Sequence, residues 1–191
     1  MHPSRLLVLA ALAVPSIAMA QAPVQQSAEN PLVSSFHIVA MRYGNYLATA
    51  FDSIPASTYA YKPTSVQQTI GYIAQHLEAG NYGLCAGMTG RTRPMTAKDS
   101  LADTVKAKWP KDTLVARFRA SLAYCDQALA GLTDAQLPEQ ISAGPGSGRM
   151  VPRGRWLLAL TTDLAEHYAQ LASYMRLIGL VPPTALPRPK A

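Results

Sequence analysis

Hydrophobic residues recur along this chain at alternating spacings of three and four, the signature of an apolar stripe on an α-helix. Four segments carry the pattern. In the first, Val33, Phe36, Ala40, Tyr43, Leu47 and Ala50 predict a helix running to about Phe51, with His37 beside the stripe. Pro55 and Pro63 then break the period. Thr64 with Gln67, or Ser65 with Gln68, has the spacing of a capping box opening a second helix. Its stripe is Val66, Ile70, Ile73, Leu77 and Leu84, reaching almost to Cys85, with Gly87 and Gly90 as the stop. In the third, Pro110 suits a first helical turn and Leu114, Phe118, Leu122, Cys125 and Leu129 follow at helical spacing up to Gly131. The fourth is the most regular: Leu157, Leu160, Leu164, His167, Leu171, Tyr174 and Ile178, closed by Gly179 and Pro182-Pro183.

The connections differ in kind. From Met88 to Trp109 the chain carries charges, Pro94 and no sustained period, with room for a short surface helix over Ala97–Lys108. Ser142–Gly154 reads as a Gly/Pro-rich loop. No convincing strand is visible, so the pattern predicts an all-α four-helix bundle with a long crossover between the second and third helices.

The chain ends lie outside this period. Arg5, the apolar run Leu6–Val14 and Ala18-Met19-Ala20 have the layout of a secretory signal peptide over residues 1–20, so export to the periplasm or medium is expected, with cleavage near Ala20. The run is too short for a bilayer span, and no cysteine adjoins the cleavage position to take a lipid, so no stable membrane anchor is expected after cleavage. Residues 21–31 are polar and proline-containing, a disordered lead-in, and 184–191 form a Pro-rich tail. The formal net charge is +6. The excess sits mainly in two connecting segments, Arg91–Lys111 and Arg149–Arg155, rather than on one helix face interleaved with aromatics, which argues against nucleic acid as a partner. A small molecule is the expected partner, and a homodimer is admissible. Cys85 and Cys125 are an even pair in a chain bound for an oxidising compartment: a disulfide is permitted, and two buried free thiols fit equally well.

One polar residue interrupts the best apolar stripe. His167 occupies a core-facing position, where an unpartnered imidazole costs about 1 to 3 kcal/mol. Asp163 lies four residues earlier on the same face, and His76 has a similar place in the second helix, three residues after Ile73. Two histidines and a carboxylate from facing helices can hold a divalent metal and leave coordination positions open; two separately satisfied core histidines are the bland reading. His37 reads as a satisfied core histidine, Glu166 as a solvated flank residue, and Tyr43, Tyr82 and Tyr168 as aromatic packing. There is no phosphate-binding Gly-rich loop, and Ser147 within Gly146-Ser-Gly148 lacks the setting of a nucleophile elbow.

The segments Tyr61-Lys-Pro-Thr64, Gly71-Tyr-Ile-Ala-Gln-His76 and Asn81-Tyr-Gly-Leu-Cys85, followed by Glu166-His-Tyr-Ala-Gln-Leu-Ala-Ser-Tyr-Met-Arg-Leu-Ile-Gly-Leu-Val-Pro-Pro183, resemble the second- and fourth-helix signatures of DinB-like proteins. The resemblance spans about Ser35 to Pro183, and it identifies residues 32–183 with that family's four-helix bundle. It implies a metal held by one histidine on the second helix and a His-x-x-x-His pair on the fourth. Carried over by position, the ligands are His76, Asp163 and His167, with aspartate standing where the family usually has histidine. Zinc or nickel is the expected ion, and iron or manganese also suits a set containing a carboxylate. The resemblance also implies cysteines at both positions 85 and 125, which together with export favours the bridge.

The implied activity is metal-dependent hydrolysis of an unknown substrate. A non-catalytic bundle that binds a metal or small ligand is the alternative, and a structural bundle with a degenerate site is a third. Thiol-dependent relatives use cosubstrates kept inside the cell, so export makes that branch less attractive.

Overall fold

The computed structural model describes residues 29–187. The expected leader, nearly all of the lead-in and the end of the Pro-rich tail lie outside the described residues. Four long helices form the bundle: α1 (Pro31–Ser53), α2 (Ile70–Thr89), α4 (Lys111–Ala130) and α5 (Arg153–Leu177), with a single-turn helix α3 (Asp103–Lys106) in the crossover. Helix α2 packs on α4 and α5, and α1 packs on α5 and α4, so α1 stands diagonally across from α2.

Three cross-helix pairs fix the relative direction of α2 and α4. Glu78 meets Arg117, Asn81 Nδ2 donates to Ser121 Oγ (3.0 Å), and Cys85 is joined to Cys125, with their Cα atoms 5.4 Å apart. Both numbers rise together, so the two helices run parallel. A parallel pair needs a connection as long as the helices, about 30 Å for a helix of this size. The crossover supplies it. The other contacts set the remaining directions: Trp156 packs on Gly87, which makes α5 antiparallel to α2, and Lys111 Nζ donates to the Asp52 and Ile54 carbonyls (2.7 and 2.8 Å), placing the start of α4 at the end of α1.

The predicted stripes are the core. Leu47, Phe51, Ile73, Leu77, Phe118, Leu129, Leu164 and Leu171 are all buried, and Phe51 and Phe118 meet edge to face at 5.3 Å. The start of α1 is capped from a distance, since Leu32 N and Val33 N donate to the Asp134 carboxylate (2.9 and 2.8 Å).

Three local expectations are corrected. The second helix begins at Ile70, not at Val66, with the Thr69 hydroxyl accepting from Tyr72 N. Thr64 and Gln67 spend their side chains on each other in a turn, and Val66 is 91% exposed. The start is fixed by the preceding loop, whose Tyr61 and Tyr59 carbonyls accept from Ile70 N and Gly71 N. Gly71 is required there, because a Cβ would collide with the Ala107 carbonyl. Residues 97–108 do not form one helix: a 3-10 turn (Ala97–Ser100) and α3 are separated by extended backbone at Leu101 and Ala102. The Gly/Pro-rich loop contains strands β1 (Gln140–Ser142) and β2 (Met150–Pro152), paired antiparallel with Ile141 opposite Val151. Strands of three residues are too short to show alternation, which is why the sequence pattern gave no sign of them.

Candidate metal centre

His76 projects from the second turn of α2 towards α5, where Asp163 and His167 stand one turn apart on the facing surface. The three side chains converge. Their ligand atoms lie within 4.8 Å of one another, with Asp163 Oδ1 3.5 Å from His167 Nε2 and 3.8 Å from His76 Nε2. The two imidazole rings face each other at 64°, centroids 4.9 Å apart.

These separations suit a ligand set. A carboxylate orienting an imidazole sits at about 2.7 to 3.2 Å, and both contacts here are longer. Ligands of a tetrahedral ion with bonds of about 2.1 Å stand about 3.4 Å apart, close to the spacings around Asp163. The donor set, two imidazole nitrogens and one carboxylate oxygen, is one that zinc, nickel, iron and manganese all accept. The residues therefore fit a divalent metal.

Gln170 completes the arrangement. Its Oε1 lies 3.0 Å from His167 Nδ1, and its Nε2 donates to the Tyr174 hydroxyl (3.0 Å). The amide oxygen requires Nδ1 to carry the proton, which leaves the lone pair of Nε2 aimed at the cluster. Outer partners of this kind set the tautomer and raise the basicity of a ligating histidine. Gln170 does not stand out in the hydrophobic period, although its place three residues after His167, on the same face, is a signal for it. His76 is flanked by Tyr72, whose ring is parallel to its own to within 10°.

The electrostatics follow from this crowding. Burial pushes the Asp163 carboxyl up, but the contacts and positive charge of His167 and then His76 outweigh it and hold the group well below the usual carboxylate range. Burial pushes the His167 imidazole down, and its contacts with Asp163 and Gln170, with the Asp163 and Glu166 charges, more than reverse this, so its pKa is raised. The side chain of His76 is 39% exposed, so one side of the cluster is open to solvent.

The other residues singled out in the sequence lie elsewhere. His37 Nε2 pairs with Asp126 Oδ1 at 2.6 Å on α4, so it is neither a ligand nor a core histidine. Glu166 is exposed. Tyr43 and Tyr168 pack with Tyr46, their centroids 5.3 to 6.2 Å apart, while Tyr82 packs on Tyr124 (5.2 Å). Cys85 and Cys125, both fully buried, tie α2 to α4 about two and a half turns from His76 along α2.

The chain is a four-helix bundle with a histidine–carboxylate cluster, able to hold a metal, between two of its helices. The profile of the DinB superfamily matches residues 42–171, and the chain belongs to that superfamily. A DinB-like protein from Bacillus cereus ATCC 10987 superposes with a TM-score of 0.62 at 18% identity, over 78% of this chain and 95% of that one. A DinB-like protein from Bacillus subtilis gives 0.59 at 17% identity, over 81% and 96%. A mycothiol-dependent maleylpyruvate isomerase gives 0.57 at 14% identity, over 73% of this chain and 59% of the isomerase. No curated protein sequence matches the chain. Among the described residues, no helix is long and apolar enough to cross a membrane.

Proposed function

We propose that this chain is an exported, metal-dependent hydrolase of a small molecule, with zinc or nickel held by His76, Asp163 and His167. The observation that carries this reading is the convergence of the cluster: three ligand atoms within 4.8 Å of one another, at spacings suited to a common ion. Gln170 supports it by turning His167 so that the nitrogen facing the cluster is the unprotonated one. Such an ion supplies Lewis acidity, polarising a carbonyl or related group and lowering the pKa of water. The protein's own contribution is to hold three ligands and leave the exposed side of His76 free for substrate. That opening favours chemistry over the competing reading of a closed, non-catalytic binding site.

Export rests on the leader-like residues 1–20 and on the Cys85–Cys125 pair, which suits an oxidising compartment. The fold hosts catalysis in one solved relative, a mycothiol-dependent isomerase by name. A cytosolic thiol cosubstrate does not fit an exported chain, which is why hydrolysis is preferred here. The test is to strip the mature protein with a chelator, restore zinc, and measure turnover of a panel of esters, lactones and amides. Turnover that disappears with the metal and returns with it supports the proposal. A fully metal-loaded protein that hydrolyses none of the panel favours the non-catalytic reading.

A further inference from the structure

The seam between α2 and α5 continues past the metal cluster. Going up α2 from His76, the residues facing α5 are Gly80, Gly83 and Gly87, and going down α5 from Asp163 they are Ala159 and Trp156. Gly87 is filled by Trp156, whose ring lies 3.0 Å from where a Cβ would stand. Gly80 is bordered by Asp163 Oδ2 at 3.5 Å. Between them, a Cβ on Gly83 would meet nothing within 4 Å, so the seam holds an open furrow at that point.

Next to Gly83 in sequence, Leu84 lines a cavity of about 260 Å³ together with Trp156, Ala159 and the hairpin loop. Arg149 and Arg155 stand on its wall. Among the described residues, neither guanidinium has an acidic side chain within ion-pair distance, whereas Arg117, Arg119 and Arg153 each have a carboxylate partner. Arg155 also lies in the first turn of α5, where the helix dipole is positive. Two unpaired guanidiniums beside a Trp ring form a receptor for anionic oxygens attached to an apolar body.

We propose that this furrow binds an elongated anionic small molecule. A carboxylate or phosphate at one end is held by Arg149 and Arg155, an apolar chain lies over Gly83 and Ala159, and the other end reaches the His76–Asp163–His167 cluster. The inference rests on the metal reading above and specifies its substrate class. Arg155 and Asp163 are eight positions apart on one helix, about 12 Å along its axis, which a ten-carbon chain spans.

The test uses the full mature chain loaded with zinc, its metal content measured on the same sample. Sebacate and 8-phosphonooctanoate, each with an anion at both ends, are compared with octanoate by calorimetric titration. At least one two-ended probe is expected to bind about tenfold tighter than octanoate or better, and the one favoured identifies carboxylate or phosphate. Arg149→Gln with Arg155→Gln should remove that advantage while octanoate binding and zinc content stay unchanged. Gly83→Val, whose Cβ would meet no protein atom within 4 Å, should weaken the two-ended probe without lowering metal content. Zinc-loaded protein that binds both two-ended probes no better than octanoate, or an advantage that survives loss of both arginines, overturns the inference. Failure to take up zinc at all overturns the metal reading instead.

Discussion

Reducing the Cys85–Cys125 bridge should destabilise the bundle by about 4 kcal/mol. The two cysteines are separated by 40 positions and tie the parallel helices α2 and α4, so the bridge encloses the whole crossover. Crosslinking a loop of this length removes about 13 cal/mol/K from the unfolded chain in the loop-entropy model, or about 4 kcal/mol at room temperature. Both side chains are fully buried, so truncating them would add a cavity cost and blur the comparison. Reduction of the wild-type chain avoids this, because it changes the covalent link and almost no volume. The assay is urea unfolding followed by circular dichroism, with and without reductant, on the exported protein, alongside a non-reducing mass measurement. A drop in unfolding free energy of about 3 to 5 kcal/mol is expected. Two free thiols in the exported protein, or unchanged stability on reduction, would refute the reasoning.

The centre offers three further tests. Asp163→His should shift preference towards nitrogen-favouring ions, raising zinc and nickel affinity relative to manganese in competition titrations; an unchanged order would remove Asp163 from the ligand set. Gln170→Leu leaves the ligands in place but frees the His167 ring, so metal affinity should fall about 10- to 100-fold, read by chelator competition. The pH dependence has a definite sign. His167 has a raised pKa in the metal-free fold, so a proton must leave it before a metal binds, and affinity should start to fall on acidification at a pH above the ordinary histidine value of about 6.5. In the metal-free protein, the same raised pKa contributes stability that is full below about pH 6.5 and lost as pH rises through the folded-state value. Asp163, held low, contributes stability that is full above about pH 4 and lost as pH falls towards its folded-state value. Denaturant titrations across pH on the wild type read the two in separate windows, and Asp163→Asn should abolish the acidic one and diminish the other, because Asp163 is itself a cause of the raised His167 pKa.

The four long helices were legible because each carries a stripe wide enough to be counted, and α5 most of all, since Leu157 to Ile178 keeps its period without a miss. His167 stood out for the same reason: a polar residue is conspicuous only where the pattern around it is strict. What the pattern could not reach were features set by contacts distant in sequence. The start of α2 depends on the Tyr59 and Tyr61 carbonyls rather than on the nearest capping-box match. The hairpin depends on a pairing between residues eight to twelve apart, with three residues on each side. Glu78 is buried against Arg117, which also contacts Asp99 and lies over the Trp109 ring at 5.0 Å; read locally, these residues looked like ordinary helix-surface and crossover charges. The basic segment Arg149–Arg155 was visible as charge, but its place at the end of the α2–α5 furrow needed the hairpin to be seen.

The function proposed for the centre depends on His76, Asp163 and His167 holding one divalent ion. Elemental analysis of the mature protein, purified without an affinity tag, tests it most directly when paired with His167→Ala. Close to one equivalent of metal per chain is expected in the wild type and almost none in the variant, with the helical circular dichroism of both intact. A wild-type protein that carries no metal and takes none up, or a folded His167→Ala protein that retains a full equivalent, would contradict it.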